Sequence, residues 1–88
     1  VMNEWLWIDG GTRFLWLSER NGWRQLYVVS VVDRSVTLLT PGDFDVINVA
    51  GVDEENGIVY FTASPEEATQ RHLYRVSLDG SGVSVKVN

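Results

Sequence analysis

Apolar runs of a few residues, separated by small polar punctuation, occupy the whole chain. Eight can be delimited: Trp5–Ile8, Arg13–Ser18, Gln25–Val31, Val36–Thr40, Val46–Val52, Ile58–Ala63, His72–Leu78 and Val83–Val87. They are rich in Val, Ile, Leu and aromatic residues, which suit a pleated, half-buried surface, and each is too short for a core-packing helix. The pattern predicts strands. Between them stand Asp9-Gly10-Gly11, Asn21-Gly22, Asp33-Arg34-Ser35, Asn56-Gly57 and Asp79-Gly80-Ser81-Gly82, all able to adopt positive φ cheaply and so to close hairpins. One stretch reads as helical: Pro65–Gln70 predicts a single turn in a surface loop, with Ser64 as N-cap and Pro65 at the first position. The expected class is all-β and antiparallel.

The runs repeat. Leu26-Tyr27-Val28-Val29-Ser30-Val31 recurs 47 residues later as Leu73-Tyr74-Arg75-Val76-Ser77-Leu78, with four of six positions identical. Upstream, Phe14-Leu15-Trp16 matches Val59-Tyr60-Phe61 in character at a spacing of 45, so the two-residue difference falls in the loop before each Leu-Tyr pair, where insertions are tolerated. A period of about 45 residues holding four short strands is that of a β-propeller blade. The expected architecture is two four-stranded antiparallel blades, residues 4–41 and 44–88, forming one fragment of a larger ring. Two blades cannot close a ring, since propellers use roughly four to eight. Their flanks need covering, and an isolated copy is expected to self-associate.

Composition narrows the function. Seven basic against twelve acidic residues give a net charge of −5, and the basic ones are scattered rather than gathered into the positive stripe a nucleic-acid backbone requires. With no cysteine there is no disulfide framework, no thiolate nucleophile and no Cys-ligated metal. No apolar run is longer than four residues, far from the roughly 20 that span a bilayer, and no signal peptide opens the chain. Val1-Met2-Asn3 reads as an arbitrary starting point, which suggests a fragment of a longer chain.

Candidate chemistry is sparse. Glu54-Glu55 and Glu66-Glu67 are carboxylate pairs, but acid–base work or amine recognition needs a desolvated cleft, and both pairs sit in turn-like segments. His72, the only histidine, stands at a strand edge; neither Ser64 nor Ser77 lies in the Gly-x-Ser-x-Gly elbow that would present a nucleophile to it. Asp43, Asp45 and Asp53 lack the convergent spacing of a calcium loop. Glycines 10, 11, 22, 42, 51, 57, 80 and 82 form no phosphate cradle. No catalytic, cofactor-binding or metal-ligating residue is therefore assigned. Trp5 and Trp7 share one strand face and Trp16 alternates with Phe14 on the next, a pattern expected between neighbouring blades. Trp23, beside a turn, is expected to pack on the next blade, or else to be exposed as a protein or carbohydrate contact.

Two segments carry a family resemblance. Phe14-Leu15-Trp16-Leu17-Ser18-Glu19-Arg20-Asn21-Gly22-Trp23-Arg24-Gln25-Leu26-Tyr27, followed by Leu38-Leu39-Thr40-Pro41-Gly42, resembles a blade of the dipeptidyl peptidase IV N-terminal propeller. So does Val59-Tyr60-Phe61-Thr62-Ala63 with Arg71-His72-Leu73-Tyr74-Arg75-Val76 and Leu78-Asp79-Gly80. The resemblance implies a propeller seated on an α/β-hydrolase domain, the two together removing dipeptides from peptide N-termini, with this chain as scaffold and substrate gate. It implies the remaining blades, the hydrolase domain and a peptide substrate as partners, and a periplasmic or extracellular parent. The family holds the substrate's amino group with a glutamate pair on an inserted helix, whereas Asp53-Glu54-Glu55-Asn56-Gly57 reads as a hairpin turn, so that role is not carried over. The alternative is a propeller module that binds a protein or carbohydrate with no associated peptidase.

Overall fold

The alternating runs form two meanders in the computed structural model, which describes residues 5–20, 22–64 and 71–87. The first sheet holds β1 (Trp5–Ile8), β2 (Arg13–Ser18), β3 (Gln25–Ser30) and β4 (Val36–Leu38); the second holds β5 (Val46–Asp53), β6 (Ile58–Ala63), β7 (His72–Ser77) and β8 (Val85–Lys86). Within each sheet the strands lie side by side in chain order and every pairing is antiparallel, as short hairpin joints dictate. A 3₁₀ turn at Asp9–Gly11 joins β1 to β2, with Asp9 and Gly10 both at positive φ. The helical turn expected at Pro65–Gln70 lies outside the described residues, as does Asn21.

Strand ends differ from the apolar runs for local reasons. The run Val36–Thr40 leaves the ladder after Leu38, since Pro41 has no N–H to offer. Leu39 still donates its N–H to the Leu26 carbonyl at 2.8 Å, and the Thr40 hydroxyl accepts the Leu26 N–H at 3.0 Å. A side chain thus stands in for a ladder carbonyl. β5 runs one residue past its predicted end and is irregular between Val46 and Asn48 and between Val49 and Gly51. These bulges bring Val46, Val49 and Val52 opposite Ala63, Phe61 and Val59, whereas simple alternation would have split the three valines between faces.

The repeat seen in the sequence is a repeat of hydrogen bonds. Val31 N–H to Thr12 O (3.0 Å) corresponds to Leu78 N–H to Gly57 O (2.8 Å), and Leu39 N–H to Leu26 O corresponds to Val87 N–H to Leu73 O, both 2.8 Å. Register agrees as well: Trp16 pairs with Tyr27 as Phe61 pairs with Tyr74, and Phe14 with Val29 as Val59 with Val76.

The two sheets nevertheless bury opposite faces. In the first, Leu15, Leu17, Leu26, Val28 and Leu39 point into the common core; in the second, Val59, Phe61, Ala63, Val76 and Leu78 do. Leu15 and Leu17 correspond by repeat to Tyr60 and Thr62, not to Val59 and Phe61. The aliphatic face of one sheet therefore packs on the aromatic face of the next, the head-to-tail stacking by which propeller blades succeed one another. Contact is close at Gly80, where a Cβ would come within 2.7 Å of Thr37 Cγ2 on the other sheet, and its φ of +83° further disfavours any side chain.

Two substitutions locate this stability. Phe61→Ala, which empties a fully buried ring site, is expected to cost about 3–5 kcal/mol in urea unfolding. Thr40→Val keeps the shape but strands the buried Leu26 N–H, and is expected to cost about 1–3 kcal/mol, with Thr40→Ser restoring most of it.

Candidate functional site

The most distinctive surface lies on the outward face of the first sheet. Strand alternation and register line up Trp5, Trp16, Tyr27 and Leu38 in one row and Trp7, Phe14, Val29 and Val36 in the next. Trp7 meets Phe14 with ring centroids 5.0 Å apart, and Trp16 meets Tyr27 at 5.9 Å, both tilted as ring quadrupoles prefer. Arg20 closes one end of the face: its N–H donates to Ser18 Oγ at 3.2 Å, and the guanidinium lies 5.8 Å from the Trp16 ring and 5.6 Å from that of Tyr27. It is held by cation–π attraction to two rings at once. Trp5 and Trp7 are 56% and 52% exposed, so the pair expected between blades faces away from the core formed with the second sheet. The physical reason is the opposite-face packing, in which the aliphatic side of this sheet is the one that meets its neighbour. Trp23 is 40% exposed.

At the β2–β3 end a recess of about 240 Å³ is lined by Trp16, Leu17, Ser18, Glu19 and Arg24. Arg24 anchors the link between sheets, donating its N–H to Asp45 Oδ1 at 2.7 Å and accepting the Val46 N–H at 2.7 Å, while its buried Nε has no hydrogen-bond partner among the described residues. Gln25, fully buried, donates its side-chain amide to the Gly42 carbonyl. Neither arginine announced itself in the sequence, since both act through the way the β2–β3 turn folds back.

The carboxylates are distributed among turns. Asp33 accepts the Ser35 N–H at 3.1 Å, Asp79 the Ser81 N–H at 2.9 Å, and Asp53 both the Asn56 N–H and its side-chain amide, the latter at 2.8 Å. Hydrogen bonds hold all three carboxyls below the usual aspartate range: first from the Ser35 side chain at Asp33, the Asn56 side chain at Asp53 and the Ser81 backbone at Asp79. Glu54 accepts the Asp9 N–H at 2.8 Å through Oε1 and so ties the β5–β6 turn to the turn of the other sheet. Asp9 also pairs with Arg13, an exposed contact of little energetic consequence.

Among the described residues the remaining sequence candidates do not converge. His72 is half-buried opposite Ala63, at the end of the β6–β7 ladder away from Ser77, whose hydroxyl accepts the Asp79 N–H at 3.3 Å. Ser77 is five residues from His72 along an extended strand, roughly 17 Å away. Ser64 follows Ala63, next to residues that include Glu66 and Glu67 and lie outside the described set. Asp45 and Asp53 are engaged as above, Asp43 lies in the Pro41–Asp45 loop, and among the described residues no three acidic, His or Cys side chains gather as a metal site would require. Nor is any described helix long and apolar enough to cross a membrane.

Comparison with known proteins bears on this frame directly. The family model for the dipeptidyl peptidase IV N-terminal region matches residues 2–88. The chain belongs to that family. It is 31% identical over 80 residues to a "Probable dipeptidyl peptidase 4" of Aspergillus flavus, covering 91% of this chain and 10% of that protein. It is 30% identical over 81 residues to the "Dipeptidyl peptidase 4" of Trichophyton equinum, covering 92% of this chain and 10% of the relative. A "Probable dipeptidyl-aminopeptidase B" of Aspergillus fumigatus is 42% identical over 66 residues, covering 73% of this chain and 7% of that protein. The chain thus spans about a tenth or less of the length of these relatives. The family expectation drawn from the Phe14–Tyr27 and Val59–Val76 segments is met across both sheets.

Within this family member the turn aspartates contribute to the response to acid. Their folded pKa values lie below the unfolded value of roughly 3.9, so their contribution is fully present above that pH and is lost as pH falls through the depressed values. The urea midpoint is expected to stay level from pH 7 to 5 and to drop below about pH 4. Asp79→Asn should shallow that drop, which a series of unfolding curves at stepped pH would measure.

Proposed function

We propose that residues 4–41 and 44–88 are two consecutive blades in the propeller of a dipeptidyl peptidase IV-like serine exopeptidase. They act as scaffold and as part of the wall that gates peptides toward a hydrolase domain elsewhere in the parent. The observation that carries this reading is the family match across residues 2–88, joined to two sheets whose strand registers repeat and whose unlike faces stack. Chemistry is assigned outside these residues because no Gly-x-Ser-x-Gly elbow occurs in the sequence and the His72, Ser77 and turn carboxylates each serve a strand or turn. Glu54 serves here as a fastener between turns and not as an amine receptor. The parent would bind a peptide with a free N-terminus, and its location outside the cytoplasm is part of the same proposal.

A second reading, a propeller that binds a protein or carbohydrate without a peptidase, draws on the exposed indole of Trp23 in the β2–β3 loop. One set of assays separates the two. The full-length parent is expected to release N-terminal dipeptides from peptides, with kcat unchanged by His72→Ala or Glu54→Gln, while the 88-residue chain alone releases none. Phe61→Ala, by loosening the packing between blades, is expected to raise kcat/KM for long polypeptides relative to short dipeptide amides. A parent without dipeptide release would overturn the peptidase reading, and an unchanged length preference in a folded Phe61→Ala variant would overturn the gate.

A further inference from the structure

The β5–β6 turn contains Asn56-Gly57, a pair in which a main-chain nitrogen readily attacks the preceding side-chain amide, because glycine has no Cβ to shield that nitrogen. The surroundings leave the attack open. Asn56 is exposed, Gly57 has a φ of +68°, and a Cβ there would meet no heavy atom within 4 Å. The restraint comes from Asp53, which accepts the Asn56 N–H at 3.2 Å through Oδ1 and the Asn56 side-chain amide at 2.8 Å through Oδ2. The amide is thus held back across the turn toward the residue three before it, whereas attack requires it to face the residue after it. Comparable positions are closed to this chemistry. Asp79-Gly80 and Asp9-Gly10 carry carboxylates, poor electrophiles once ionised, and these are engaged by the Ser81 N–H at 2.9 Å and by Arg13. Asn48 precedes Val49 within β5, where a branched side chain shields the nitrogen and the ladder holds the backbone extended.

We infer that Asn56 is a site of spontaneous deamidation whose rate is set by Asp53, and that its conversion loosens the fastening between the two sheets. The Gly57 nitrogen attacks Asn56 Cγ. The new C–N bond closes a cyclic imide, the Cγ–Nδ2 bond breaks, and ammonia leaves with the proton given up by Gly57. Water then opens the ring at one of its two carbonyls, leaving an aspartyl or an isoaspartyl residue at position 56. Water is the one co-reactant. Either product places a carboxylate where an amide donated to Asp53, so attraction gives way to repulsion between like charges. The isoaspartyl form also lengthens the main chain by a methylene, in a turn whose Gly57 carbonyl accepts the Leu78 N–H at 2.8 Å. Glu54, in the same turn, then loses the placement from which it accepts the Asp9 N–H at 2.8 Å.

Incubation of the full-length parent at mildly alkaline pH, followed by peptide mapping with isoaspartate detection, tests the site. Position 56 is expected to convert well ahead of Asn48, with isoaspartate among the products. Asp53→Ala should speed conversion about fivefold, the factor that loss of one ordinary hydrogen bond provides. Asp53→Asn, which keeps one acceptor oxygen, should fall between, and Asn56→Gln, which would have to close a larger ring, should stay unconverted. Amide exchange along the β5–β6 ladder checks that each variant keeps its hairpin, and in the converted protein the Asp9 and Leu78 amides should exchange faster. Conversion of Asn56 no faster than that of Asn48 would overturn the site. An equal or slower rate in a folded Asp53 variant would overturn the control by Asp53, and unchanged exchange at Asp9 after conversion would overturn the loosening.

Discussion

Packing of an aliphatic sheet face against an aromatic one is the interaction on which the rest of the chain depends. Twelve buried side chains from both sheets form a single cluster, and neither sheet has another layer within the described residues to bury its apolar side. A single-layer meander leaves its apolar face uncovered, and burying that face is what offsets the entropy of ordering the backbone. Joined at one interface, the two meanders share a core, and the polar devices around it maintain their spacing: Glu54 to the Asp9 N–H, Asp45 to the Arg24 N–H, and the bare backbone of Gly80 against Thr37. Each fastens a turn or linker of one sheet to the other. Directional bonds at the rim thus fix the orientation that the non-directional core would leave loose.

The same interaction explains the unusual surface. Repetition of one unit makes each sheet two-faced, and the first sheet buries its aliphatic side where the second buries its aromatic one. Arg20 lies over two rings of the aromatic row, and the rings lie against one another. The mixed row of Tyr60, Thr62 and Arg75 is less costly to expose, with the Thr62 hydroxyl bonded to Asn48. Membership of a family whose curated relatives are about ten times longer is in keeping with faces that call for neighbours.

Among the described residues, Asp33, Asp53 and Asp79 each hold a turn together through hydrogen bonds. Asp33 and Asp79 occupy matching turns and accept the N–H two residues on, with Arg34 and Gly80 at positive φ between. Gly80 suits that backbone, whereas Arg34 must be held there by the turn. Their depressed pKa values reflect how well the turns are hydrogen-bonded. Strained or perturbed groups often mark active sites, but here the perturbers are the turn's own serines and asparagine.

Much of this was legible in the chain itself. Alternation, turn residues and the recurrence of Leu-Tyr-x-Val-Ser are properties of local backbone chemistry, so the all-β class, the strand order and the family could be read from residue order alone. Tertiary structure decided which face of each strand is inside. Alternation says that Leu15 and Trp16 point opposite ways but not which meets the neighbouring sheet, and hydrophobicity, high on both sides of the first sheet, could not choose. The bulges that align Val46, Val49 and Val52, the hydroxyl of Thr40 in place of a carbonyl, and Arg20 over its rings also arise from contacts between segments distant in sequence. Local pattern specifies a strand's two faces; only the partner that arrives from elsewhere in the chain determines which of them becomes core.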